Sequence, residues 1–220
     1  MYYSFSWTYC VSIAIINGYI WDAKYCWYDP DIGQVVPELL INSSEFFIYY
    51  VEIGWYLHCS YAHLYEDSRK SDFYLLIIHH IATLLLMYGS MVYGYHRIGV
   101  LVLISMNFCD VALESAKIGV YVYESTKWNP PDYFQWCLYA PLPVSWLFFR
   151  IYYYLTVVLR SSYFHSQNVW REFRDPNGKL PYHQFFNSLL FILLLLNVCT
   201  DFHFSNLKLI MSFYYNFIRY

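Results

Sequence analysis

Apolar runs long enough to cross a bilayer follow one another along this sequence, and few folds accept that pattern. A bilayer core needs roughly 20 mostly apolar residues per helix, and backbone polar groups in lipid must be satisfied within the structure. Six segments qualify, near residues 5–21, 45–65, 73–94, 98–122, 135–159 and 184–217. The first has neither a basic flank nor a clear small-residue cleavage site, so it reads as a retained helix rather than a signal peptide. The last exceeds a single span and is expected to protrude or bend around Asp201 and His203. Between the runs lie helix breakers: Asp29-Pro30-Asp31, Gly33 and Pro37, then Asn129-Pro130-Pro131, then Asp175-Pro176-Asn177-Gly178 and Pro181. Pro141 and Pro143 fall inside the fifth run, which predicts a kink or a late helix start there. The expected architecture is an all-α membrane protein, one polytopic bundle of about six transmembrane helices.

Composition supports that class. Hydrophobic residues make up 59% and charged residues 13% of the chain, against about 45–50% and 25% in soluble domains. The 27 tyrosines hold the mean hydropathy down to +0.30; tyrosine suits a membrane interface, where its ring is buried and its hydroxyl stays wet. The six cysteines form no C-x-x-C pair, which points to small buried hydrophobes rather than a zinc knuckle or disulfide framework. A net charge of −3 without a basic tract makes nucleic acid a poor partner. Alternating spans place segments 22–44, 95–97 and 160–183 on one membrane face, and a small excess of Lys and Arg there leans that face toward the cytoplasm.

Ionisable groups at membrane depth are costly and mark function by default. His79 and His80 lie in the third run, and the fourth carries Asn107, Asp110, Glu114 and Lys117. If the two runs form a hairpin turning near Tyr95, His79 and Asp110 both sit about 23 Å from the turn and share a depth. Asn107, Asp110, Glu114 and Lys117 follow helical spacing and share one face of the fourth helix. One of the adjacent histidines can face that stripe while the other turns about 100° away. Histidine takes and returns a proton near neutral pH, and a carboxylate beside it fixes its tautomer. That equipment suits acyl transfer, by general-base activation of a nucleophile or through an acyl-imidazole. A metal site built from His79, His80, Asp110 and Glu114 is the rival; adjacent helical histidines diverge, and the other histidines are scattered without ligand spacing.

A further set of residues stands in order around this constellation: Tyr49-Tyr50, Glu66, Arg69-Lys70-Ser71-Asp72-Phe73, His79-His80 with Thr83, Arg97-Ile98-Gly99, and Asp110 with Leu113-Glu114 and Ala116-Lys117. This set resembles the longevity-assurance motif of ceramide synthases, densely over residues 45–120 and more loosely to the C-terminus. The resemblance implies a single TLC membrane domain over 1–220, with an interior acyl-transfer site and a further N-terminal span that this sequence does not show. It implies N-acylation of a sphingoid base by acyl-CoA to give (dihydro)ceramide, in the endoplasmic reticulum membrane, with loop orientation opposite to the charge count.

By the same resemblance His79 and His80 match the paired histidines required for activity, and Asp110 matches the second of two aspartates. Asn107 stands where the first would be. An amide there accepts a hydrogen bond from imidazole but brings no charge; behind a serine-protease histidine, that change costs about 10⁴ in turnover. Arg69 and Lys70 are expected to meet CoA phosphates, and Thr83 or the second histidine to steady the oxyanion. Acyl-CoA is a co-substrate, and no metal or other cofactor is implied. The implied partners are acyl-CoA, a sphingoid base and membrane lipids, with assembly as a homo- or heterodimer or with a small accessory subunit. A non-catalytic TLC lipid-binding or membrane-organising protein, and a metal-dependent lipid-modifying enzyme, are the other readings.

Overall fold

The computed structural model describes residues 1–31, 33–36, 38–39, 41–65, 73–126, 141–176 and 178–204. Among them are six helices: α1 (Tyr2–Ile16), α2 (Ser43–Tyr65), α3 (Phe73–Val92), α4 (His96–Thr126), α5 (Pro141–Phe173) and α6 (His183–Phe204). They close into a ring in the order α1, α2, α3, α6, α5, α4, and α4 also touches α2 and α3 across it. Half of the apolar window of α4 lies buried, against 28% for α3 and 22% for α5, so α4 is the element around which the others pack.

Three helices are both long and apolar enough to cross a membrane: Phe73–Val92, His96–Gly119 and Pro141–Phe173. The expected six spans are therefore not reached among the described residues. The α1 helix has 15 residues, and the apolar part of α6 is the shorter His183–Cys199. The α2 helix has 23 residues, but Glu45, Glu52, His58 and His63 lower its hydropathy. Three of those polar side chains, Glu45, Glu52 and His63, are buried, while Phe46, Phe47, Tyr50, Leu57, Tyr61 and Leu64 point outward. A hydropathy average mixes these two faces; the apolar stripe faces out and the polar one in.

The α3–α4 turn is made by Gly94, whose φ of 74° places it in the left-handed region that favours glycine. Tyr95 N–H donates back to the Ser90 carbonyl at 2.7 Å and closes the end of α3. In α5, Pro141 and Pro143 occupy the first described turn, where a missing N–H costs nothing. Beyond them, from Trp146 to Leu159 and from Ser161 to His165, the helix winds with π-type i→i+5 spacing. Such winding is rare and gathers at functional sites, and Arg150 lies on it.

Segment 22–44, expected to be a loop, is a folded plug over one end of the ring. A short hairpin, β1 (Tyr28–Asp29) and β2 (Gln34–Val35), pairs Tyr28 with Val35. Trp27, Val35, Val36 and Leu39 are buried beneath it. Trp27 Nε1 donates to Ser161 Oγ at 2.9 Å, and the Trp27 ring meets Tyr95 edge-on at 5.4 Å. At the same end Tyr95 donates to the Pro181 carbonyl at 2.5 Å, and Arg174 pairs with Glu38. Segments 22–44, 95–97 and 160–183 thus share one end, as the alternation of spans requires. Burial pushes the Cys26 thiol in this plug well above its usual range, which suits a small inert filler.

The Arg97-Ile98-Gly99 motif is part of the same end. Arg97 donates to the Tyr25 carbonyl at 3.0 Å and pairs with Asp29 at 2.6 Å, and its Nε lies 3.7 Å from Glu45. His96 Nε2 lies 3.1 Å from the other Glu45 oxygen, in ion-pairing range but off line for a hydrogen bond, with both side chains fully buried. Tyr49 donates to the His96 carbonyl at 2.9 Å and accepts from Ser90 at 2.9 Å. Gly99 lets Tyr49 in: a Cβ on Gly99 would fall on the Tyr49 hydroxyl. Gly99→Ala is expected to cost about 1–3 kcal/mol, the usual range for overpacking, read as a lower melting temperature in detergent. An unchanged melting temperature would show that Tyr49 has room to move.

Candidate active site

Helix α3 presents the two histidines to different neighbours. Their ring centroids are 6.1 Å apart with planes tilted by 59°. His80 faces α2, with Tyr56 edge-on at 6.0 Å and His63 at 6.1 Å. His79 lies within electrostatic reach of Arg150 on α5. The Nδ1 atoms of both imidazoles are buried with no hydrogen-bond partner. Native structures seldom leave buried polar atoms unpaired without reason, and here two adjacent ring nitrogens are left open together.

Thr83 is in place one turn along α3, but its hydroxyl donates to the His79 carbonyl at 2.8 Å. That back-bond holds its proton within the helix, so toward a ligand the side chain offers only lone pairs. Arg69 and Lys70 fall in 66–72, outside the described residues.

Asp110 is not bonded to a histidine among the described residues. Its Oδ1 accepts from Arg150 Nη2 at 2.6 Å, and both side chains are largely buried. The guanidinium carbon stands 3.9 Å from the centroid of the Trp146 ring, a cation–π contact that orients the fork. Arg150 therefore couples Asp110 to the environment of His79, a link that sequence spacing alone assigned to a direct carboxylate–imidazole contact.

Asn107 is fully buried and faces α1 and α2. Its Nδ2 donates to Glu52 Oε1 at 2.8 Å and to Ser6 Oγ at 2.8 Å, and Ser6 in turn donates to the same Glu52 oxygen. The dense packing of α1 on α4 brings Ser6 to this spot. The amide thus serves as a donor to a buried carboxylate, rather than standing as a blunted aspartate behind an imidazole. Asn107→Asp replaces that donor with a second carboxylate against Glu52. The expected result is a less stable protein, by about 1–3 kcal/mol for the lost buried bond, seen as a lower melting temperature. A variant as stable as the parent would mean that Glu52 has no need of the amide.

Sequence reasoning missed Glu52 and Arg150. Both were within reach of the rule that found the histidines: Arg150 is the single charged residue of the run 135–159, and Glu52 lies midway along 45–65. Among the described residues no three His, Cys, Asp or Glu side chains gather as a metal-ligand set.

Comparison with known proteins fits this interior. Human ceramide synthase 1 is 31% identical over 206 residues, covering 90% of this chain and 54% of that protein. The rice (Oryza sativa subsp. japonica) ASC1-like protein 1 is 30% identical over 189 residues, covering 86% of this chain and 58% of its own. Ceramide synthase hyl-1 of Caenorhabditis elegans is 29% identical over 161 residues, covering 73% and 40%. The chain spans about half the length of the curated relatives it matches. The family model of the TLC domain matches residues 1–205. With that match over nearly the whole chain, and a helical bundle that carries paired histidines inside, the chain belongs to the TLC-domain family, close in sequence to its ceramide synthases.

Proposed function

We propose that this protein transfers a fatty acyl group from acyl-CoA to the amine of a sphingoid base, releasing CoA and giving (dihydro)ceramide, in the endoplasmic reticulum membrane. The observation that carries the proposal is the His79–His80 pair, set on a strongly apolar helix with both Nδ1 atoms unpartnered. The relatives named ceramide synthase support the substrate class.

In this mechanism one imidazole either takes a proton from the attacking amine or attacks the thioester carbon itself. In the second case the thiolate leaves, the acyl-imidazole forms, and the amine then takes the acyl group. Arg150 is the positive group that meets negative charge developing near His79, and Asp110 holds it in place. A closed helical ring keeps water from the acyl intermediate, which favours transfer over hydrolysis. Arg69 and Lys70 come just before α3 in the sequence and are proposed to meet the CoA phosphates.

Purified protein in liposomes, given dihydrosphingosine and a panel of acyl-CoAs, tests this by mass spectrometry of the lipid product. The expected result is dihydroceramide from the parent and none from His79→Ala or His80→Ala. Folded parent protein that yields no more than those variants would move the assignment to a lipid-binding TLC protein.

A further inference from the structure

We propose that Glu52 is the residue that recognises the ammonium head group of the acceptor substrate; the substrate's identity as a long-chain amine rests on the acyl-transfer proposal above. Two carboxylates in the described bundle are fully buried, Glu45 and Glu52. Glu45 is matched by His96 at 3.1 Å and Arg97 at 3.7 Å. Asp110, largely buried, is matched by Arg150 at 2.6 Å. Glu52 has no cationic partner among the described residues. Its neighbours are neutral donors: Ser6 and Asn107 bond to Oε1, and the Tyr2 hydroxyl lies within hydrogen-bonding reach of the carboxylate.

What is left over at this spot has a definite polarity. Glu52 Oε2 and Asn107 Oδ1 are both buried and without a hydrogen-bond partner. The Asn107 orientation follows from the carboxylate, because only its NH₂ end can face Glu52 with a hydrogen bond. Open acceptors at a buried carboxyl group with no cation beside it fit a ligand that is cationic and rich in N–H donors, which would hold Glu52 in its ionised form. A primary ammonium, with one positive charge and three donors, is that group. An isolated carboxylate in a membrane bundle is costly until such a counter-charge arrives.

The location suits an acceptor on its way to the histidines. Glu52 stands one helical turn from Tyr56, which touches the His80 ring. Asn107 stands one turn from Asp110 on α4. The ammonium station and the proposed transfer site are therefore successive turns of the same helices. The ion pair with Arg150 occupies Asp110, whereas Glu52 has no cation among the described residues and is open to one. Recognition is assigned to Glu52; the proton and acyl transfers stay with the histidines.

The test is binding by the purified chain without acyl-CoA, so that no turnover is needed. Sphinganine and octadecane-1,3-diol, its counterpart without the amine, are compared by thermal shift and native mass spectrometry. The parent is expected to bind sphinganine at least about tenfold more tightly than the diol, as a site that loses a required polar contact discriminates strongly. Glu52→Gln keeps the acceptor for Ser6 and Asn107 but removes the charge, and is expected to lose that preference with its diol binding unchanged. Equal binding of the two lipids by the parent overturns the assignment, whether or not the variant folds. A folded Glu52→Gln that still prefers sphinganine overturns it too. Acyl transfer by the parent alongside either of those results removes Glu52's role and leaves the acyltransferase standing. Preference for the amine without any acyl transfer supports Glu52 and removes the acyltransferase.

Discussion

His79→Ala and His80→Ala are each expected to lower dihydroceramide formation by at least about 10²-fold, the lower end of what a positioned general base contributes. Neither imidazole is tied to a structural partner through Nδ1, so neither loss breaks a hydrogen bond that holds the bundle. Size-exclusion profile and melting temperature should stay close to those of the parent. The two rings are tilted by 59° to each other; His80 has Tyr56 and His63 beside it, and His79 lies within electrostatic reach of Arg150. A reaction that needs both is recognised by non-additivity: the double variant is expected to be no slower than the worse single one, as for groups that act as a unit. Lipid mass spectrometry against acyl-CoA consumption reads this directly. A single variant with the parent's rate would remove that histidine from the mechanism.

Arg150→Met should cost far more stability than an ordinary surface charge. It leaves Asp110 buried beside an apolar side chain, and breaking one half of a buried pair typically costs about 3–5 kcal/mol. It also removes the cation stacked on Trp146. The double variant Arg150→Met with Asp110→Leu is expected to regain most of that loss, because a well-packed apolar pair often equals a buried ion pair in stability. Acyl transfer should stay absent in both, since the guanidinium near His79 is gone from both. Thermal unfolding in detergent separates the effects. If the single variant melts with the parent, water reaches Asp110 and the pair is not a buried one.

The histidine pair, the α3–α4 hairpin and the polar stripe on α4 were legible because each rests on local rules. Helical spacing puts Asn107 and Asp110 on one face of α4, a hairpin at Gly94 returns α4 beside α3, and charges inside apolar runs are rare enough to notice. The partners of those residues were not legible. Asn107 looked like a weakened aspartate until its amide was seen against Glu52 and Ser6, which lie 55 and 101 residues away in the chain. Thr83 looked available to an oxyanion, and its own helix takes its proton. Segment 22–44 has the breakers of a loop, yet its Trp27 and Val36 are core residues, because turns can fold over a bundle end when apolar side chains are spaced to fill it.

By itself the sequence determined the membrane class, the hairpin and the place of the histidine pair within it, because backbone satisfaction in lipid and helical periodicity act over a few residues at a time. The tertiary structure alone decided which charge meets which. Asp110 belongs to Arg150, Glu45 to His96 and Arg97, and Glu52 to no described cation. Pairing of that kind depends on which helices adjoin in the ring, and a buried charge acts only over the few ångströms that packing brings together.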